Sequence, residues 1–185
     1  MPLGSKTKVG GVVAEPETPQ GYIWQIVDRN TDRSTWNPKV SRFFDYWLSI
    51  TPPDRLPGRQ HFDPLAIREM MSRIWILDVM RSAADLRYRY RLVGTRQVEI
   101  FGREITGEWL DEAHPHLGER PEIMARYRAM AERGIATYRR GHISLVRERE
   151  FSMTENCEVP LARDGVTVDM IVCFAVLYRE DGKEA

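Results

Sequence analysis

The chain has 185 residues, room for one domain with a sizeable core plus extensions and too little for two ordinary domains. Lys plus Arg and Asp plus Glu number 27 each, so the formal net charge is zero and no global field draws the chain to nucleic acid or to an anionic membrane. Its two cysteines, Cys157 and Cys173, stand in no CxxC or metal-finger spacing, which argues against a disulfide framework and a zinc site and fits a reducing compartment.

Residues 1–36 read as a flexible or loosely docked arm. The first 20 are rich in Gly, Pro, Lys and Glu and hold little to bury, whereas Tyr22, Ile23, Trp24, Ile26 and Val27 form a compact apolar cluster that argues for docking. No signal-peptide core precedes them, and no apolar run approaches the roughly 20 residues that span a bilayer, so a soluble cytoplasmic protein is expected. Asn37-Pro38 then supplies an N-cap followed by proline at the first helical position. Val40, Phe43, Phe44, Trp47 and Leu48 continue it as one apolar stripe of an amphipathic helix, stopped by Thr51-Pro52-Pro53. Asp63-Pro64 repeats the signal, and Leu65, Ile67, Met70, Met71 and Ile74 predict a second helix.

Strand signals follow. The apolar run 75–80 is interrupted by Asp78, and 87–93 alternates Arg87, Arg89 and Arg91 with Tyr88, Tyr90 and Leu92, the period of a half-buried strand. So short a link makes the two antiparallel. At Gly94-Thr95 the period changes: Thr95 is read as the cap of a short helix carrying Val98, Ile100 and Phe101 and stopped at Gly102. A longer helix is predicted over 120–133 with Gly134 as its stop. Three strands, 138–149, 151–161 and 166–178, complete the chain, with Asp164-Gly165 as a hairpin turn between the last two. The expected fold is α+β: a five-stranded antiparallel sheet with helices inserted after the second strand and an N-terminal helical extension, spanning 37–180, with 181–185 as a tail.

This order, carried by Phe44-Asp45-Tyr46-Trp47, Pro57-Gly58-Arg59, Phe62-Asp63-Pro64, Ile76-Leu77-Asp78-Val79, Tyr88 through Thr95, Phe101-Gly102-Arg103-Glu104, Thr106-Gly107 and Pro160 through Gly165, resembles the PAS fold. More closely it resembles a family of short, stand-alone bacterial PAS proteins, over residues 43–178. The resemblance implies a non-enzymatic sensory or adaptor module, with a ligand held between sheet and helices or with the outer sheet face and an N-terminal helix engaged in dimerisation. With no kinase, cyclase or DNA-binding segment in view, output is expected to pass through a separate signalling protein.

On that resemblance a pocket is expected against Tyr88 and Tyr90, completed by Trp75, Trp109, Met124, Tyr127 and Met153, although aromatic and Met residues at these spacings also serve plain packing. No cofactor is identified. His114-Pro115-His116 lacks a third metal ligand. Haem would need a histidine on the 120–133 helix, which has none, with His142 beyond it. Asn156-Cys157 precedes Glu158 on a strand and does not fit a flavin-reactive motif. The cationic stripe Arg87, Arg89 and Arg91 reads as a solvated face or a site for an anionic partner.

The final strand is apolar on both faces, with Val168, Met170, Val172, Phe174 and Val176 on one and Ile171, Cys173, Ala175 and Leu177 on the other. It therefore needs cover on both, from the Phe43, Phe44 and Trp47 helix or from a second subunit. A homodimer, a signalling protein and a small molecule are the expected partners, with Phe43, Phe44 and Trp47 as the interaction residues. The competing class is a small enzyme or a haem-binding sensor on the same scaffold. For catalysis Asp78 and Asp169 are the first strand carboxylates to consider, and neither has an evident histidine partner.

Overall fold

The computed structural model describes residues 22–83, 85–142, 145 and 151–185, with backbone only at Phe151 and Ser152. A six-stranded antiparallel sheet forms its centre: β1 (Ile23–Val27), β2 (Ile74–Arg81), β3 (Leu86–Val93), β4 (Ala136–Gly141), β5 (Phe151–Leu161) and β6 (Met170–Arg179), in the order β1-β4-β5-β6-β2-β3. Helices α1 (Pro38–Ile50), α2 (Thr95–Phe101), α3 (Leu110–Ala113) and α4 (Pro121–Arg133) surround it. The α+β plan and the insertion of helices after the β2–β3 hairpin are as expected.

The sixth strand is the addition. The apolar cluster of the arm pairs as β1 with β4, Trp24 opposite Arg139 and Gln25 opposite Tyr138. This strand is legible only through a partner more than 100 residues away, so local pattern does not announce it.

Helix α1 starts as its sequence demands, the Asn37 side chain accepting from Lys39 N at 2.9 Å. Its stripe lies on the sheet: Phe43 stacks on Phe174 with ring centroids 5.2 Å apart, and Trp47 Nε1 donates to Pro160 O at 3.1 Å. The helix entry is tied down as well, since Glu155 on β5 accepts from Asn37 N, and Trp36 stacks on Tyr138 at 4.1 Å. Phe43, Phe44 and Trp47 are therefore buried in the chain's own core rather than offered at its surface. Burying such aromatic side chains contributes on the order of 2 kcal/mol apiece.

The expected second helix is absent. Residues 64–70 form consecutive turns leading into a short 3-10 segment, Met71–Arg73, with bonds such as Met70 N to Ile67 O at 2.8 Å and Arg73 N to Met70 O at 2.9 Å. Of the expected stripe, Ile67 and Met70, three apart, are buried in this segment, Ile74 is buried as the first residue of β2, and Leu65 is 80 % exposed. That spacing suits three residues per turn better than a continuous α-helical stripe.

The Arg-Tyr alternation breaks near its end. Ile76 pairs with Leu92 and Leu77 with Tyr90, leaving Arg91 as the extra residue of a β-bulge. Tyr88 and Tyr90 thus face the α2–α4 side, whereas Leu92 turns to the α1 side and Val93 takes the place expected of it. At the following turn Gly94, not Thr95, caps α2, its carbonyl accepting from Val98 N at 3.0 Å. A Cβ at Gly94 would lie 2.2 Å from Met71 O, so close backbone approach fixes the glycine.

Two hydrophobic layers result. On β6, Met170, Val172, Phe174 and Val176 pack under α1, and Ile171, Cys173, Ala175 and Leu177 pack under α2–α4; Val168, in the preceding loop, joins the second layer instead of the first. Asp169 also lies in that loop rather than within a strand, and the β5–β6 connection runs over 162–169, longer than a tight hairpin. Strand β4 begins at Ala136, two residues before its expected start; of the expected remainder, 143, 144 and 146–149 lie outside the described residues. No helix among the described residues is long and apolar enough to cross a membrane.

Candidate ligand cavity

Between the sheet and the α2–α4 layer lies a cavity of about 60 Å³. Its apolar walls are Trp75 of β2, Ile100 and Phe101 of α2, Ile123 and Tyr127 of α4, and Ala175 and Leu177 of β6. Its polar surface comes from Gln97, Arg126, Arg139, Thr154, Asn156 and Glu158, and Trp24 of β1 closes one end.

Strand β5 supplies the polar floor. Thr154, Asn156 and Glu158 alternate with Cys157, Val159 and Leu161, which pack under α1, so the polar positions point at the α4 side and are buried there. Glu158 is 9 % exposed and accepts from Tyr127 Oη, Thr137 Oγ1 and Asn156 Nδ2, each at 3.2 Å. Burial raises its carboxyl above the usual range, opposed mainly by the Arg139 charge. Burial likewise pushes the Tyr127 phenol far up.

The unpartnered polar atoms mark the space as more than packing. Trp24 Nε1, Trp75 Nε1 and Asn156 Oδ1 are buried and without a hydrogen-bond partner among the described residues, all three on lining residues. A buried polar group left unsatisfied costs about 1–3 kcal/mol, so a site holding several of them gains from an occupant that pairs them.

The chemistry at the end closed by β1 is cationic and aromatic. The Arg126 guanidinium lies 5.2 Å from the Tyr22 ring centroid and 5.5 Å from that of Trp24; Arg139 lies 5.3 Å from Tyr22 and donates to the His142 carbonyl. Tyr22 rests on Gly141, where a Cβ would come within 2.5 Å of the ring.

A family model described as a PAS domain matches residues 36–150. The chain belongs to the PAS domain family. Neither the curated proteins nor the solved structures yield a match to it. PAS domains are generally non-enzymatic sensory or signalling modules. The matched stretch covers α1 through β4, so β1 with Trp24, and β5 and β6 with Thr154, Asn156, Glu158, Ala175 and Leu177, extend this PAS domain beyond it.

Of the residues expected at a pocket, Trp75 and Tyr127 line the cavity, and Tyr88, Tyr90, Trp109, Met124 and Met153 do not. Tyr90 Oη sits 2.9 Å from His114 Nε2 and turns toward α3. Burial depresses His114 to a pKa of about 4, so it is neutral at pH 7. Tyr88 packs on Tyr127 at 5.4 Å, its phenol pushed up to about 12 by burial. Trp109 is half-buried beneath Arg87, whose guanidinium lies 4.2 Å from its ring. Met124 is half-buried on α4. Met153 occupies the strand phase of Cys157 and Val159, opposite the cavity, which is why it drops out.

The other singled-out groups are engaged elsewhere. Arg91 Nε bonds Asp78 at 2.6 Å, Arg89 lies 3.7 Å from the same carboxylate, and Arg87 bridges Asp111 and Glu112, so the stripe is neutralised within the chain. Asp78 is an ion-pair acceptor of that stripe rather than a carboxylate facing the cavity. Cys157 lies under α1 and Cys173 under the helical layer, both fully buried, and burial holds both thiols well above their ordinary range. The His114 and His116 rings are 5.9 Å apart, and no group of three or more His, Cys, Asp or Glu side chains placed to hold a metal occurs among the described residues.

The missed residues had a signal. Thr154, Asn156 and Glu158 look like a solvent face only if the sheet is wet on one side; once both faces of β6 need cover, polar alternation on its neighbour β5 must line something buried.

Proposed function

We propose that this PAS domain is a non-enzymatic sensory module that binds a small molecule in the cavity between β5 and α4 and passes its occupancy to a signalling protein. The observation that carries this reading is the trio of buried, unpartnered atoms, Trp24 Nε1, Trp75 Nε1 and Asn156 Oδ1, on one cavity wall set. Their pairing with an occupant supplies binding energy that packing alone does not use. A homodimer is part of the proposal. Strand β1 ends the sheet with Ile23 and Ile26 each more than 40 % exposed, and a sheet edge of this kind is a template for a second copy.

A thermal-shift screen of small polar molecules tests the binding reading. A ligand present in large excess over its Kd raises Tm by mass action, and the rise should vanish in Ala175→Leu, which fills the cavity from β6. Hits whose shift survives that substitution would place binding elsewhere and contradict the proposal.

A further inference from the structure

Resting on the reading of the cavity as a ligand site, the chemistry of its lining narrows the ligand. Three donors converge on it without acceptors. The Arg126 guanidinium, over the Tyr22 and Trp24 rings, makes no hydrogen bond or ion pair with the described residues. Trp24 Nε1 beside it and Trp75 Nε1 are buried without partners. The strand order sets β1 and β2 at opposite sides of β4, β5 and β6, so the two indoles belong to opposite ends of the space. One buried acceptor, Asn156 Oδ1, stands on β5 between them.

Among the described lining residues the charges lean cationic, Arg126 and Arg139 against one carboxyl, Glu158, which is already met by Tyr127, Thr137 and Asn156. Arg126 acts on Glu122 and Glu158 only through space and is hydrogen-bonded to no carboxyl among the described residues. A planar guanidinium matches a carboxylate in geometry as well as in charge.

We propose that the cavity takes a small organic acid, its carboxylate against Arg126 and Trp24 Nε1 and a hydroxyl further along it donating to Asn156 Oδ1. The space open to the centre of a water-sized sphere is about 60 Å³, and about 10–15 Å³ on that measure holds one water, so the occupant is restricted to a short-chain molecule. Because Trp24 belongs to β1, the N-terminal strand is a wall of this site, and the acid ties that strand to α4.

The test uses lactate, 3-hydroxybutyrate and 4-hydroxybutyrate, each against its own uncharged amide, titrated into the full chain by calorimetry and by thermal shift. The acids bind and the amides bind far more weakly. Arg126→Gln weakens the acids by about tenfold to a hundredfold, the loss expected for one charged hydrogen bond. Arg126→Lys retains part of the affinity. Trp24→Phe, which keeps the ring and deletes the N–H, weakens the acids by about threefold to tenfold. It serves as the decisive variant should Arg126→Gln fail to fold.

Acids and amides that bind equally, with no response to Arg126 or Trp24, overturn the assignment to organic acids while leaving the cavity a ligand site. Absence of binding by all six probes also overturns the assignment. The broader reading falls separately, on hits in the wider screen that persist in Ala175→Leu.

Discussion

Glu158 is a carboxyl buried beside a cavity, and burial disfavours its charged form. Its pKa is raised in the fold above the unfolded value near 4.5, so its stabilising contribution is complete below that value and is lost as pH rises through the raised one. Replacement by Gln keeps hydrogen-bonding groups for Tyr127 and Thr137 and removes the charge. Glu158→Gln should therefore melt higher than the unsubstituted chain at pH 8, by on the order of 3 °C, the shift that about 1 kcal/mol gives a domain of this size. The difference should close toward pH 4. Parallel melting curves at all pH values would contradict the cause assigned. Gly94 makes a second case. Its φ of −67° suits any residue, so the 2.2 Å approach of a Cβ to Met71 O is the whole difficulty. Gly94→Ala should cost about 1–3 kcal/mol in urea unfolding, and an unchanged midpoint would contradict it.

Elements were legible where their causes are local. The Asn37-Pro38 cap and the stripe through Phe43, Phe44 and Trp47 specify α1 without reference to anything else, and Gly102 and Gly134 end α2 and α4 in left-handed conformations as their sequences imply. What those aromatics touch was less legible. They meet β5 and β6 of the same chain, and Phe43→Ala should cost about 3–5 kcal/mol by opening a cavity against Phe174. A loss below about 1 kcal/mol in chemical unfolding would show that α1 is not integral to the core. The bulge at Arg91 was not legible, because a shift of pairing between β2 and β3 leaves no mark on the Arg-Tyr alternation itself. The cavity's polar floor was legible only indirectly: Thr154, Asn156 and Glu158 on β5 have the pattern of a wet face by themselves, and only the need of β6 for cover on both faces implies that they are buried.

At the scale of the molecule, a neutral chain covers both sheet faces with its own helices and keeps a polar space under one of them. Cover by α1 removes the need for a second subunit over that face, and the proposed homodimer would use the β1 edge of the sheet instead. Arg87, Arg89 and Arg91, the most conspicuous charges in the sequence, serve the internal ion pairs of β3, while Arg126, which forms no ion pair with the described residues, sits at the cavity. On the proposed reading, sensing amounts to satisfying the wall of that cavity, to which β1, β5 and β6, all outside the matched family region, contribute. Native mass spectrometry of the full chain purified from cells tests this most directly. The account predicts a stoichiometric small-molecule excess per chain on a species of two chains, with the excess missing from Ala175→Leu; bare polypeptide mass in the unsubstituted protein, or an excess that Ala175→Leu retains, would contradict it.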